Sequence, residues 1–365
     1  MRLAHSWSAL LALFLMNVIP AAAQLSSPQA DPLARIREAA PSTPPCSATG
    51  ESLCEQVAPK IIANAQGESP LADNLRRLTD EMGQGKSGSS ARAVAWGVAA
   101  FRSAGLDVRA EKYRQQGAGS GEQENVVAEI RGREKPDEWI LLGAHLGSGS
   151  RNPAASGNTC DAAMVIEAAR DIFATGIRPR RSIRFVLFTG TEKGVLGSSA
   201  YVRSHVAELD HARAAIILRS GCGRVTGYSL NGRHDLEPGL REAMKPAESL
   251  GASRYVYDAT LGADNFDFVV EGVPTLMTIH ADTGSPLDSP ATAGVSRKIE
   301  MADLKRDTAI AGVTAFAIAE RAEPLGVRLS RAEIESLLKS SGLAEQMKKA
   351  DLWRQWESGE LGRKP

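Results

Sequence analysis

Residues 181–201 read RSIRFVLFTGTEKGVLGSSAY. The run Ile183–Thr189 is mostly apolar and rich in aromatic and branched side chains, which is typical of a strand buried on both faces of a sheet. The segment that follows, Gly190–Ser198, is rich in glycine and polar groups. In open α/β sheets, functional groups gather beyond the carboxyl ends of the strands. The loop after this strand is therefore a candidate for part of a functional site.

Similar apolar runs occur elsewhere along the chain. Those that predict further strands are Val108–Tyr113, Asn125–Arg131, Trp139–Ala144, Ala214–Leu218 and Thr275–Ile279. Apolar residues at helical spacing predict helices around Leu75, Leu78 and Met82, around Val94, Val98 and Phe101, and over Ala162–Ala174. Strands buried on both faces, separated by helices, predict an α/β sandwich.

The composition excludes some classes of protein. The chain has 365 residues, with 43 Lys and Arg balanced by 43 Asp and Glu, and 43% of its residues are hydrophobic. A nucleic-acid-binding protein would carry a basic excess, so we expect no nucleic-acid partner. Beyond the N-terminus, no apolar run reaches the ~20 residues that a membrane span requires.

The N-terminal residues have the pattern of a secretory signal peptide. Arg2 precedes an apolar run at residues 7–19, and three alanines at 21–23 supply a small-residue cleavage site. We predict cleavage after Ala23, and hence a secreted or periplasmic protein with no membrane span after cleavage. The alternative interpretation is an N-terminal membrane anchor.

The rest of the chain divides into three predicted parts. Residues 24–60 form a proline-rich N-terminal segment, 61–325 an α/β domain, and 326–365 a helical extension. The charges of the extension are mixed, so we expect it to pack on the domain. The alternative is a helix that binds a partner or a membrane surface.

Four cysteines follow the signal peptide. Disulfides persist outside the cytosol, and Cys46 and Cys54 are close enough in sequence to close a short loop. A pairing of Cys160 with Cys222 is a second hypothesis.

Three stretches occur together in one known family. They are Gly143–Ser148 (GAHLGS), Glu167–Arg170 (EAAR) with residues 181–201 after it, and Gly262–Asp264 (GAD) with Gly272–Pro274 (GVP) after it. Through them, residues 70–325 resemble metallopeptidase family 28, the aminopeptidase Y and carboxypeptidase Q group of di-zinc exopeptidases. The resemblance implies a three-layer α/β/α sandwich with a mixed, mainly parallel sheet, which is the zinc-exopeptidase or phosphorylase/hydrolase-like fold.

The resemblance also implies a site. In the family, two zinc ions share a bridging Asp; one zinc adds a His and an Asp, and the other a Glu and a His. A second Glu, just before the ligand Glu, is the general base. Carried onto this sequence, His145 and Glu192 are the remnant ligands. Thr191 stands at the general-base position, so we expect no catalytic residue there.

The remaining positions lack metal-binding side chains. Gly157 stands where the bridging Asp is expected, and Arg219 stands where the second metal Asp is expected. No histidine follows His280 to supply the last ligand. Gly147 replaces the acid that orients the first zinc His in the family.

Two acids are weaker ligand candidates. Asp161 fits the bridging position only with a shift in spacing, and is most simply the N-cap of the helix that follows. Asp264 matches a family acid that supports the site. Because a guanidinium repels a divalent cation, we expect Arg219 to lie within salt-bridge reach of Glu192 or Asp161.

These departures predict a secreted pseudo-peptidase that needs no cofactor and keeps a cleft for a peptide or protein. Non-catalytic relatives on this fold, such as the transferrin receptor ectodomain, show that such a loss is compatible with the fold. Two alternatives stay open. One is an active zinc-dependent amino- or carboxypeptidase that recruits Asp161, His280 or Asp264. The other is a metal-independent hydrolase in which Cys160 or Ser148 pairs with His145.

Overall fold

The computed structural model describes residues 53–82, 89–114, 121–146, 157–190, 196–219, 221–281 and 299–364. Contacts divide the chain into a unit of residues 1–40 and a unit of residues 41–365, and every described residue lies in the second unit. The predicted signal peptide and Cys46 lie outside the described residues. Across the described part of the chain, we find no helix with both the length and the apolar character to cross a membrane.

Helices and strands alternate along most of the described chain. The helices are α1 (Leu53–Gln66), α2 (Leu71–Met82), α3 (Ser89–Ser103), α4 (Gly157–Ala174), α5 (Leu196–Ser204), α6 (Glu237–Met244), α7 (Asn265–Val270), α8 (Met301–Glu320), α9 (Arg331–Ser340), α10 (Leu343–Lys349) and α11 (Trp353–Ser358). The strands are β1 (Asp107–Arg114), β2 (Glu122–Ile130), β3 (Lys135–His145), β4 (Arg181–Phe188), β5 (Ala212–Ile217), β6 (Val225–Ser229), β7 (Arg254–Val256) and β8 (Thr275–His280).

The strands form one eight-stranded sheet in the order β1-β2-β4-β3-β5-β8-β6-β7. The four central strands β4, β3, β5 and β8 are parallel to one another, whereas β1, β2 and β6 pair antiparallel with a neighbour. All six strands predicted from apolar runs are present. The mixed, mainly parallel sheet between helices confirms the predicted fold class.

The central strands bury both faces because successive side chains point to opposite sides of a sheet. On β3, Ile140 and Leu142 pack into the larger core with residues of α1, α4 and α8. Trp139 and Leu141, the alternate residues of the same strand, pack into a second core with Tyr201 of α5 and Phe268 of α7. This alternation produces the three layers.

The C-terminal helices pack back on the domain, as expected from their mixed charges. Ile334, Leu338 and Trp356 lie in one buried cluster with Phe266 and Val270 of α7. Ser330 begins α9 with a capping box, in which its hydroxyl and the carboxylate of Glu333 cap each other's backbone.

Helix α1 connects the N-terminal segment to the core. Val57 and Ile61 on its inner face are fully buried in the larger core. The predicted boundary at residue 60 falls inside this helix, so the end of the segment 24–60 already contributes to the packed domain.

Candidate functional site

Polar side chains meet at the carboxyl ends of the central parallel strands. His145 is the last residue of β3, His280 is the last residue of β8, and Arg219 follows β5, which lies between these two strands. Asp161 on α4 and Asp264 just before α7 complete the group. The carboxyl ends of parallel strands share one edge of the sheet, and this edge is where open α/β sheets place their sites.

His145 faces an acid from a distant part of the chain. Its Nδ1 lies 3.3 Å from Oδ2 of Asp264. Burial acts most strongly on the pKa of His145 and lowers it, but the negative charge and the close contact of Asp264 together outweigh burial and raise the pKa above the usual value. Asp264 is therefore the acid next to the imidazole, although the contact does not have the geometry of a hydrogen bond. The resemblance instead implies an orienting acid at position 147. Position 147 itself lies outside the described residues.

Asp161 does not cap its own helix. The N-cap interpretation is wrong because α4 begins at Gly157, which places Asp161 in the second turn. The carboxylate is buried, and its Oδ2 accepts a hydrogen bond of 3.4 Å from the backbone N–H of Gly221. Asp161 thus binds the turn that follows β5, and Gly157 offers no side chain at the bridging position.

A disulfide joins α4 to that same turn. Cys160 and Cys222 are bonded, with their Cα atoms 5.3 Å apart, which confirms the hypothesis of this pairing. The alternative in which Cys160 acts as a nucleophile is wrong, because a sulfur in a disulfide is not a free thiolate. Ser148, the other proposed nucleophile, lies outside the described residues.

Arg219 is fixed at its backbone and has no direct ionic partner among the described side chains. Its N–H donates a hydrogen bond of 2.7 Å to Oγ1 of Thr278 on β8. Burial lowers the pKa of Arg219, and the charges of Asp161 and Asp264 counteract that shift from a distance. The expected salt bridge to Asp161 is not formed. Glu192, the other expected partner, lies outside the described residues with Thr191.

A second buried acid lies close behind this group. Oδ2 of Asp267 on α7 accepts a hydrogen bond of 2.7 Å from the hydroxyl of Ser198. Burial raises the pKa of Asp267 to about 7, the hydrogen bond from Ser198 acts against this rise, and the charge of Asp264 adds to it. The sequence does not single out Asp267, because the sequence of a short apolar helix does not show which side chains from other elements will lie next to its acid.

The folded protein should lose stability as the pH rises toward 7, because Asp267 then gives up its proton. We expect the Asp267→Asn substitution to make this loss smaller. The pKa of about 7 in the folded protein lies above the unfolded value of about 4, so between these values only the folded protein keeps the proton. Stability contributed by that proton is present at low pH and is lost as the pH rises to about 7, by up to about 1.4 kcal/mol per pH unit. Asparagine does not titrate, and its amide oxygen still accepts the Ser198 hydrogen bond.

Urea unfolding at several pH values tests this expectation. The stability of Asp267→Asn relative to the unmodified protein should increase from pH 5 to pH 7. The matched control is Asp107→Asn at an exposed position on β1. If both variants show the same pH dependence, Asp267 does not keep a proton in the folded state.

The described side chains at the strand ends do not by themselves form a donor set for a pair of zinc ions. Where the resemblance expects two acids, the structure has the glycine that begins α4 and the cation of Arg219. The imidazole of His145 is already directed at Asp264. Within the described ranges, no group of three or more His, Cys, Asp and Glu side chains is arranged to hold a metal ion.

Solved structures show the fold class. A peptidase M28 precursor from Shewanella amazonensis superposes with a TM-score of 0.63 at 18% identity, over 76% of this chain and 99% of that chain. A zinc aminopeptidase from Bacillus subtilis superposes with a TM-score of 0.54 at 12% identity, over 73% of this chain and 98% of that chain. The chain thus has the α/β fold of zinc exopeptidases.

Sequence similarity relates part of the chain to a known family. Residues 125–294, slightly less than half of the chain, match the family described as Peptidase family M28, and this segment is similar to that family. Carboxypeptidase Q from Rattus norvegicus is 31% identical over 150 residues, which are 41% of this chain and 32% of that protein. Transferrin receptor protein 2 from Homo sapiens is 28% identical over 95 residues, 25% of this chain and 12% of that protein. The chain therefore matches about a third or less of the length of these relatives.

Proposed function

We propose that this chain is a secreted member of the M28 family whose di-zinc site is largely lost, and that it binds a peptide or protein without cleaving it. The observation that carries the proposal is the guanidinium of Arg219 at the end of β5, where the family has an acidic ligand. A fixed positive charge opposes the binding of a divalent cation at that position.

Two further contacts support the loss of metal. The His145 side chain is paired with Asp264, and Asp161 is engaged by the backbone of Gly221. Each of these side chains would have to break its present contact before it could bind a metal. The Cys160–Cys222 disulfide supports a location outside the cytosol, because disulfides of this kind are rare in reducing compartments.

An active zinc exopeptidase is the second candidate. Its support is the presence of zinc aminopeptidases among the structural neighbours and the position of His145, Asp161 and His280 near one edge of the sheet. This candidate requires Arg219 to move away from the strand ends.

Metal analysis of the purified full chain separates the two candidates. We expect much less than one zinc per chain after dialysis, and no release of amino acid from an aminoacyl reporter. The zinc aminopeptidase from Bacillus subtilis, purified and dialysed in the same way, is the positive control. Two tightly bound zinc ions per chain, with hydrolysis that stops on addition of a chelator, would overturn the proposal.

A further inference from the structure

A histidine away from the strand-end site lies between two carboxylates. His205 follows the last residue of α5 and precedes the 3₁₀ helix Val206–His211, which connects α5 to β5. Its Nε2 lies 3.0 Å from Oε2 of Glu111 on β1, and its Nδ1 lies 3.2 Å from Oε1 of Glu208 in the 3₁₀ helix. A neutral imidazole has one N–H to donate, whereas an imidazolium has two. Contacts of both ring nitrogens with carboxylate oxygens therefore fit the doubly protonated, charged ring.

The immediate surroundings of the ring favour this charge. The backbone N–H of His205 donates a hydrogen bond of 3.0 Å to the carbonyl oxygen of Tyr201, so His205 lies at the C-terminal end of α5, where the helix dipole favours a cation. Burial acts most strongly on the pKa of His205 and lowers it, but Glu111 and Glu208 together outweigh burial and raise the pKa above the usual value. The ring of Tyr201 is centred 4.3 Å from the imidazole, and burial raises the pKa of Tyr201 to about 12, so this phenol stays neutral.

The charged groups next to the ring keep their charges near neutral pH. Arg109 of β1 donates a hydrogen bond of 2.9 Å to Oε1 of Glu111, and Arg184 of β4 donates one of 2.7 Å to Oε2 of Glu208. Arginine stays protonated in proteins. Burial acts to raise the pKa of both carboxylates, but their hydrogen bonds and the nearby positive charges outweigh burial and leave both pKa values below the usual range. Within this cluster, His205 is therefore the group that responds to pH in the neutral range.

The two carboxylates differ in how easily they can lose the imidazole. The side chain of Glu111 is 20% exposed, whereas that of Glu208 is 46% exposed. A buried acceptor that loses its donor costs more free energy than an exposed one, which water can solvate. Glu208 also keeps the hydrogen bond from Arg184 on its other oxygen. After the ring loses one proton, we expect the remaining N–H to stay with Glu111.

We propose that His205 is a pH-sensitive clasp, whose doubly protonated ring joins β1 to the 3₁₀ helix at acidic and neutral pH. In mildly alkaline solution the Nδ1 proton passes to the solvent, the contact with Glu208 breaks, and the 3₁₀ helix is released. The sign follows from linkage: the folded protein holds this proton more tightly than the unfolded chain, so the contact is complete at low pH and is lost as the pH rises. The clasp does not depend on whether the strand ends bind zinc, and it is tested independently of the proposed function.

Hydrogen–deuterium exchange of the purified protein at pH 6 and pH 9 tests the proposal, after correction for the effect of pH on intrinsic exchange. We expect the amides of residues 206–211 to exchange about twofold to fivefold faster at pH 9, which is the factor that a partly exposed ion pair contributes. His205→Gln is neutral at both pH values and should show the faster exchange at both. The ring signals of His205, identified in nitrogen NMR spectra by their loss in His205→Gln, should titrate above the usual histidine pKa of about 6.5.

Two further variants make the result specific. Glu208→Gln removes the carboxylate that is released and keeps the histidine, so residues 206–211 should exchange faster at both pH values and the pKa of His205 should fall. This variant also keeps the proposal testable if His205→Gln fails to fold. His211→Gln is the matched control, because His211 is an exposed histidine at the end of the same 3₁₀ helix. It should keep the pH response of the unmodified protein.

Either of two results would overturn the clasp. One is a ring of His205 that titrates at or below the usual histidine pKa, since the imidazolium would then not be held by the two carboxylates. The other is corrected exchange over residues 206–211 that is the same at pH 6 and pH 9, or that keeps its pH response in both His205→Gln and Glu208→Gln. Such a response would come from another group.

Discussion

Replacement of both Cys160 and Cys222 by alanine is expected to lower the free energy of unfolding by about 4 kcal/mol, if the stabilisation follows chain entropy. The two cysteines are 62 residues apart in sequence, so the bond removes a large loop from the conformations open to the unfolded chain. Cys160 is fully buried, but alanine is only slightly smaller than cysteine, so little of the loss should come from packing.

Thermal and denaturant unfolding measure the effect. For a domain of about 300 residues, a loss of this size lowers Tm by about 6 °C. Cys54 is also disulfide-bonded, so a reductant can act on both proteins. The unmodified protein should lose more stability on reduction than the double variant, because only the unmodified protein has the Cys160–Cys222 bond to lose. If the unmodified protein and the double variant, both without reductant, unfold at the same denaturant concentration, the disulfide does not constrain the unfolded chain in the way proposed.

The central part of the fold could be predicted from the sequence because buried parallel strands are apolar on both faces. β3, β4, β5 and β8 are therefore visible as apolar runs. The sequence does not predict β6 and β7, because these two strands are not apolar runs. β6 includes Thr226, Gly227 and Ser229, and β7 has only three residues and lies at the edge of the sheet. Short strands of this composition resemble loops.

The site could be predicted only in part. The positions of His145 and Arg219 follow from their place after apolar runs, and the structure places both at the same edge of the sheet. The contact between His145 and Asp264 could not be predicted, because it depends on how the segment before α7 returns to β3. The role of Asp161 was missed because the helix begins one turn earlier than its apolar residues indicate.

The glycine-rich motif after β4 has a packing role that can be separated from metal chemistry. Asn125 of β2 donates a hydrogen bond of 2.9 Å to the carbonyl oxygen of Gly197 and accepts one of 3.0 Å from the N–H of Thr189. This side chain therefore ties the first turn of α5 to the end of β4. A Cβ atom at Gly197 would lie 2.1 Å from the carbonyl oxygen of Thr189 and 2.6 Å from Oδ1 of Asn125.

We therefore expect Gly197→Ala to destabilise the protein by about 3 kcal/mol, at the upper end of the usual range for overpacking, because a backbone atom cannot move aside as a side chain does. Gly97→Ala on α3 is the matched control. Its new Cβ would lie 3.2 Å from Cδ1 of Leu187, which is the end of a flexible side chain, and alanine favours a helix by about 0.5–1 kcal/mol. Its free energy of unfolding should therefore stay within about 1 kcal/mol of that of the unmodified protein.

Denaturant unfolding of the two variants decides the matter. Equal stability of Gly197→Ala and Gly97→Ala would show that α5 does not pack on β4 as closely as described. A large loss confined to Gly197→Ala would mean that this glycine is required for the approach of α5 to the sheet, whatever stands at the ligand positions. The glycine-rich motif would then be evidence for the fold but not for metal chemistry. Evidence about the chemistry would come instead from Arg219, Gly157 and the contacts of His145.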